Sequence, residues 1–385
     1  MTNDRNIHIL SNARIVLADA IIENGWLAIS GEGIAEIGEG CPPERGEDVD
    51  GDLVMPGLVE LHTDHLEAHY VPRPKVYWNP LAAVVSYDGQ LATCGITTVL
   101  DSLRVWREDT DDEVDGEAMK LANAIATARE AGLLRADHYL HLRCEVPMPG
   151  VVNEATSLFV RPEVRLASLM DHTPGQRQFR DEEKLRTYYR GKNAGMTEAD
   201  LDNMFATRIA YQKQYGDNNH RALVKLAHEQ ATPLASHDDT TLDHVEQAIS
   251  DGVSIAEFPT TLEAAGALHE AGVRVMMGAP NLVRGRSHSG NIATADLAKA
   301  DKLDILSSDY VPSSLLAAAL TMPKFVAEID LPKAIRTVTK TPAEAVGFTD
   351  RGEILAGKRA DLIRVHVAHD VPAVRSVWRA GRRVA

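Results

Sequence analysis

Six side chains able to hold a divalent cation stand at or just beyond the ends of apolar runs: His62, Asp64, Glu145, His172, His237 and Asp309. Imidazoles and carboxylates without thiolate suit Zn²⁺ first, with Mn²⁺ or Fe²⁺ as alternatives, in a reactive rather than a structural site. A single histidine at a strand end is ordinarily a hydrogen-bonded structural residue. Five run ends carrying such groups are harder to explain in that way, because each buried charge needs a partner or a metal. Residues two apart in a strand share a face, so His62 and Asp64 point to one side, as do His141, Arg143 and Glu145. Such a set holds one or two ions, and one is enough to activate water for hydrolysis.

Bringing residues hundreds of positions apart to one place requires a particular scaffold. Eight apolar runs, 58–62, 96–101, 139–145, 166–172, 233–237, 253–258, 273–278 and 305–309, alternate with helical stretches such as 117–133, 218–231 and 261–272. Several of these stretches end in Gly, as helix C-termini do. Eight buried strands with crossover helices over residues 55–345 predict an α/β fold, a (β/α)8 TIM-type barrel whose strand C-termini open on one face. A doubly wound open sheet is the rival, but no GxGxxG turn follows the first strand. Residues 1–54 and 346–385 read as short strands broken by glycines. They are expected to form one small β-sandwich domain from both termini.

The chain of 385 residues carries 40 Lys plus Arg against 56 Asp plus Glu, a net charge of −16, with 44% hydrophobic residues. That apolar content excludes a disordered chain, and the acidity argues against a nucleic-acid partner. Cys41, Cys94 and Cys144 are too few and scattered for a disulfide framework or a CxxC site. No apolar run approaches the ~20 residues of a membrane span, and the N-terminus lacks a basic segment followed by an apolar core. A cytoplasmic enzyme with no membrane partner is expected, with a homo-oligomer left open. The acidic run 108–113 reads as a solvated loop.

The string VMPGLVELHTD at 54–64 resembles the first barrel strand of the amidohydrolase superfamily, and the segments 352–362 and 377–381 resemble its return to the small β-domain. The chain departs from the common pattern at Asp64, where most relatives have His, and at Glu145, where many have a carbamylated Lys. Within that superfamily, DHTPGQRQF at 171–179 and APNLVRGRSHSGN at 279–291 are similar to the triphosphate diphosphatase family of the carbon–phosphorus lyase pathway. The resemblance implies metal-dependent hydrolysis of a small phosphorylated ribose phosphonate, α-D-ribose 1-methylphosphonate 5-triphosphate, to the 5-phosphate and pyrophosphate. It also implies that Asp309, besides being a ligand, is catalytic: it orients the attacking water and accepts its proton.

A polyanionic substrate needs cations at the mouth of an acidic protein. Arg73 and Lys75 follow the first run, and Arg284 and Arg286 the seventh. Residues 172–192 hold Arg177, Arg180, Lys184, Arg186, Arg190 and Lys192 against Asp181, Glu182 and Glu183. For most of this stretch a solvated helix with i, i+4 pairs explains the charge better than substrate does. Arg177, in the turn after His172, is the exception. The expected substrate contacts are Arg73, Lys75, Arg143, Arg177, Lys184, Tyr188, Arg284, Arg286 and His288, with 284–291 presenting backbone N–H groups to an anion. Two other readings stand beside this one: cleavage of a cyclic amide or N-acyl C–N bond on the same scaffold, and a non-hydrolytic subunit of a phosphonate-processing assembly.

Overall fold

The eight apolar runs become eight parallel strands: β1 (Leu58–Thr63), β2 (Ile96–Val105), β3 (Asp137–Glu145), β4 (Val164–Met170), β5 (Leu234–His237), β6 (Ile255–Glu257), β7 (Arg274–Gly278) and β8 (Ile305–Ser307). Neighbours in sequence are neighbours in the sheet, from β1 through to β8. The structure is a computed structural model and describes residues 7–106, 116–179, 182–192, 196–287 and 290–385. The acidic run 108–113, Arg180 and His288 lie outside the described residues.

The ring closes where β1 meets β8. The bridge Thr63–Asp309 is parallel, and the Asp309 N–H donates to the His62 carbonyl at 3.1 Å. Closure separates this architecture from the open-sheet alternative. Inside, Val59, Leu61, Leu100, Leu166, Ala235, Ile255, Met276 and Ile305 form one apolar layer. Phe348 and the helix Lys340–Ala345 cover it from below. The outer faces of the strands pack on the crossover helices, so both faces are dry and the strands read as near-continuous apolar runs. Above the inner layer the strand ends turn polar.

Both termini meet in a second, mixed sheet. Leu53–Pro56 pairs in parallel with Ile7–Val16 and antiparallel with Leu362–Ala368, which continues into Val371–Arg379. Leu10, Ile15, Leu27, Ile29, Val54, Leu362 and Trp378 make its core. Asp52, 4% exposed, joins the two halves of the chain, taking Arg364 Nε at 2.6 Å, Arg375 Nη1 at 3.1 Å and His366 Nδ1 at 2.9 Å. Arg351, Arg359 and Arg379 then converge on Asp137 at the start of β3, fixing this sheet to the barrel.

Candidate metal centre

His62 ends up 1% exposed near the top of β1, and His237 closes β5. Their rings stack at 5.9 Å between centroids with planes 23° apart. Phe258, the residue after β6, stands edge-on to both, at 5.0 and 5.4 Å. His172, two residues past β4, packs its ring 5.5 Å from that of His237. Glu145, the last residue of β3, takes the His172 Nδ1 at 2.6 Å and the His172 backbone N–H at 2.9 Å. An unbroken contact chain thus runs from β1 through β5 and the β4 end to β3.

The two aspartates complete this rim. Asp64 stands at the N-cap position of the short helix His65–Tyr70 without a capping bond to it, its Oδ2 3.4 Å from Arg143 Nη1. Burial opposes its ionisation, but the charges of Arg143, His62 and Arg104 outweigh that and hold its pKa below the usual carboxylate range. Glu145 is pulled down to about 2, because the charge and hydrogen bonds of His172 overcome its burial. Asp309 moves the other way: burial, and then the negative charge of Asp64, raise its pKa. All six residues expected from the sequence therefore share one end of the barrel.

The sequence reading missed Glu257, His141 as a member of the cluster, and Asp238. Glu257, fully buried at the end of β6, takes His62 Nδ1 on Oε1 at 3.0 Å and His237 Nδ1 on Oε2 at 3.0 Å. Two nests result, His62 with His141 and Glu257, and His172 with His237 and Asp238; within each, one donor atom per residue lies within 4.8 Å of the others. In the sequence Glu257 stands as an acid inside the apolar run 253–258, and His141 is marked only by sharing a face with Glu145.

The donor set fits a divalent cation. It supplies nitrogen and oxygen ligands and no sulfur, as a reactive rather than a structural site does. It also sets Asp64 and Asp309 against each other, a like-charge conflict that a cation would relieve.

The expected substrate contacts divide into three groups. Arg143 is 7% exposed and faces Asp64, so it balances the acids of the rim. Arg177 is partly committed: Nη1 donates to the His237 carbonyl at 2.8 Å and to Asp239 Oδ1 at 2.7 Å, which braces the β5 end. Arg73, Lys75, Arg284 and Arg286 are exposed, with no ion pair among the described residues. Lys184 and Tyr188 lie on the helix Glu182–Lys192, and Lys184 is exposed. Arg186 and Arg190 pair with Glu198, Asp202 and Glu183, so the solvated-helix explanation holds for them, although most partners sit on the next helix. The loop expected at Arg284 begins one residue later, because Arg284 ends the helix Ala279–Arg284 and Gly285, at φ 75°, terminates it.

Comparison with known proteins agrees with this picture. The sequence profile of the amidohydrolase family matches residues 53–384. The chain is 42% identical over 380 residues to the alpha-D-ribose 1-methylphosphonate 5-triphosphate diphosphatase of Escherichia coli (strain K12), covering 98% of this chain and 100% of that protein. Among solved structures, the N-isopropylammelide isopropylaminohydrolase of Burkholderia multivorans ATCC 17616 superposes with a TM-score of 0.65 at 17% identity, covering 98% of this chain and 97% of that one. The N-acetyl-D-glucosamine-6-phosphate deacetylase of Mycobacterium smegmatis gives 0.63 at 18% identity, covering 98% and 100%. Among the described residues no helix is long and apolar enough to cross a membrane.

Proposed function

Because the chain belongs to the amidohydrolase family, we propose that it is the hydrolase that converts α-D-ribose 1-methylphosphonate 5-triphosphate to the 5-phosphate and pyrophosphate during phosphonate catabolism, acting in the cytoplasm with zinc as its ion. The observation that carries this substrate over an amide is the 42% identity along the whole chain to a diphosphatase. The solved C–N hydrolases share the fold at 17–18% identity, which speaks for the scaffold alone.

His62, Asp64, Glu145, His172, His237 and Asp309 are the residues to hold the ion. A divalent ion bound there supplies Lewis acidity, polarising a phosphoryl oxygen and acidifying water. Asp309 accepts the proton as water attacks the phosphorus nearest the ribose and the bond to the pyrophosphate oxygen breaks. Arg143 keeps the pair of aspartates from repelling the incoming anion. The exposed Arg73, Lys75, Lys184, Arg284 and Arg286 meet the charge that develops on the departing pyrophosphate.

The test is product analysis with the zinc-loaded protein on the ribose triphosphate, on ATP, and on a panel of N-acyl and cyclic amides. Pyrophosphate in a one-to-one ratio with the 5-phosphate is the expected result. Release of single phosphates, or turnover confined to the amides, refutes the assignment.

A further inference from the structure

The carboxylate of Glu257 is a fully enclosed charge beside the candidate metal centre. It is 0% exposed, at the end of β6, where strand order sets it beside His237 on β5. A buried carboxylate is tolerated only when its oxygens are occupied, and here both are. Oε1 takes His62 Nδ1 at 3.0 Å, while Oε2 takes His237 Nδ1 at 3.0 Å and the Ser168 hydroxyl at 2.6 Å.

The orientation of the two rings follows from this. His62 and His237 lie nearly parallel, and each turns Nδ1 toward the same carboxylate. An imidazole that donates its Nδ1–H keeps its lone pair on Nε2, on the far side of the ring. His237 Nε2 lies 3.5 Å from Asp238 Oδ2, and these two residues share a nest with His172. Depth runs the same way: the side chain of Glu257 is 0% exposed, His62 1%, His237 7%, His172 22% and Asp64 28%. Solvent therefore reaches His172 and Asp64 before His237 and His62, and does not reach Glu257.

We propose that Glu257 is a positioning residue, which fixes the tautomer and the facing of His62 and His237 at once, so that both present Nε2 to the ion. The inference rests on the metal-centre reading above and deepens it. One carboxylate serving two ligands from strands β1 and β5 sets their mutual angle as well as their individual orientations. Ser168 fixes the carboxylate in turn. His141, bonded to the Leu61 carbonyl at 2.9 Å and to the Ser168 hydroxyl, walls off its remaining side. Both ring nitrogens of His141 are thereby in use, which leaves the deeper nest a structural cluster.

Zinc affinity and zinc count, measured by chelator competition and elemental analysis on Glu257→Gln, test this directly. Gln keeps the size but turns one acceptor into a donor, so it cannot serve two Nδ1–H groups. The expected result is an affinity loss of about 10–100-fold, typical of an outer partner of a ligand histidine, with the wild-type number of ions at saturating zinc. Glu257→Asp, which retains two acceptor oxygens, is expected to recover part of the loss. An unchanged affinity in Glu257→Gln overturns the proposal, and so does the loss of one whole equivalent of zinc, which would make Glu257 a ligand itself. Wild-type protein that binds no zinc would sink the metal-centre reading instead, a result seen without any variant. Should Glu257→Gln fail to fold, ¹⁵N–¹H correlation of the imidazoles in zinc-loaded wild type decides: protonated Nδ1 on His62 and His237 is expected, and zinc on either Nδ1 refutes it.

Discussion

Replacing Asp309 by Asn separates chemistry from architecture at this site, because the structure predicts opposite signs for activity and stability. Asp309 has φ 53°, in the left-handed region, where Asn is among the few side chains that fit readily. Its N–H, bonded to the His62 carbonyl across the β1–β8 seam, is untouched by the change. What is removed is one proton acceptor. A positioned general base contributes ~10²–10⁴-fold, equivalent to about 3–5 kcal/mol on the barrier. Stability moves the other way. Burial and the Asp64 charge raise the Asp309 pKa, so above both the folded and unfolded values the ionised carboxylate is disfavoured in the folded state. Neutralising it should leave the metal-free protein as stable as wild type or more so. The assay is pyrophosphate release at saturating zinc, with metal content and the metal-free melting temperature measured on the same preparation. Wild-type turnover at full metal content would refute the proton-acceptor role. Lost activity accompanied by a lower metal-free melting temperature would show that Asp309 is structural.

Arg284→Met and Arg177→Met should part company. Loss of the exposed Arg284 is expected to raise KM for the triphosphate several-fold with no change in melting, whereas Arg177→Met leaves the Asp239 carboxylate, 1% exposed, with the Ser236 hydroxyl but no cation, at a cost of about 3–5 kcal/mol of stability; matching melting temperatures would contradict this. His138, buried between Asp101 and Asp88, has its pKa raised to about 9, as those two acids outweigh the opposing effect of burial. Because the folded value lies above the unfolded one, its contribution of roughly 3 kcal/mol is complete below pH ~6.5 and lost as pH rises through 9. Urea unfolding of wild type and His138→Gln at both ends of that window should show the difference between them shrinking at high pH, and a constant difference would refute it. Gly381 sits at φ 73°, and a Cβ there would lie 2.1 Å from the Gly31 carbonyl oxygen, backbone against backbone. Gly381→Ala should therefore lower the melting temperature by an amount equivalent to about 1–3 kcal/mol, measured by calorimetry, with zinc binding unchanged.

The barrel was legible because buried parallel strands need no alternation: with helices on one side and the packed interior on the other, they appear as plain apolar runs. The rim was legible for a related reason, since a histidine or acid closing such a run has no role in the apolar layer beneath it. Glu257 escaped because it lies inside its run, followed by Phe258, and because His62 is 195 residues away. That partnership exists only once β1 and β6 belong to one ring. Arg177 shows the converse case. Its place after His172 puts it at the mouth, and a structural partner that the local sequence does not show, Asp239, 62 residues later, takes its Nη1. For Arg186 the i, i+4 rule named the kind of partner but not its location, because the acids it finds are on the following helix.

Closing the barrel and assembling the site are one event at the β1–β8 seam. A seam with few ladder bonds would leave backbone N–H groups without acceptors in a dry interior, which is costly. Glu60, fully buried, supplies the missing acceptors: its carboxylate takes the His62 N–H at 2.7 Å and the Ser308 N–H at 2.6 Å. Burial pushes its pKa up to about 7 in spite of these bonds, so the seam is held by a group that is itself expensive to enclose. The residues it fixes are His62 and the immediate neighbour of Asp309, while the Asp309 N–H returns to the His62 carbonyl. A strand slipping at this junction would therefore separate the first imidazole of the rim from its proton acceptor as surely as it would open the ring. The Glu60 carboxylate, bonded to the Ser308 N–H across 248 residues of chain, is what holds the two sides of this seam in register for chemistry.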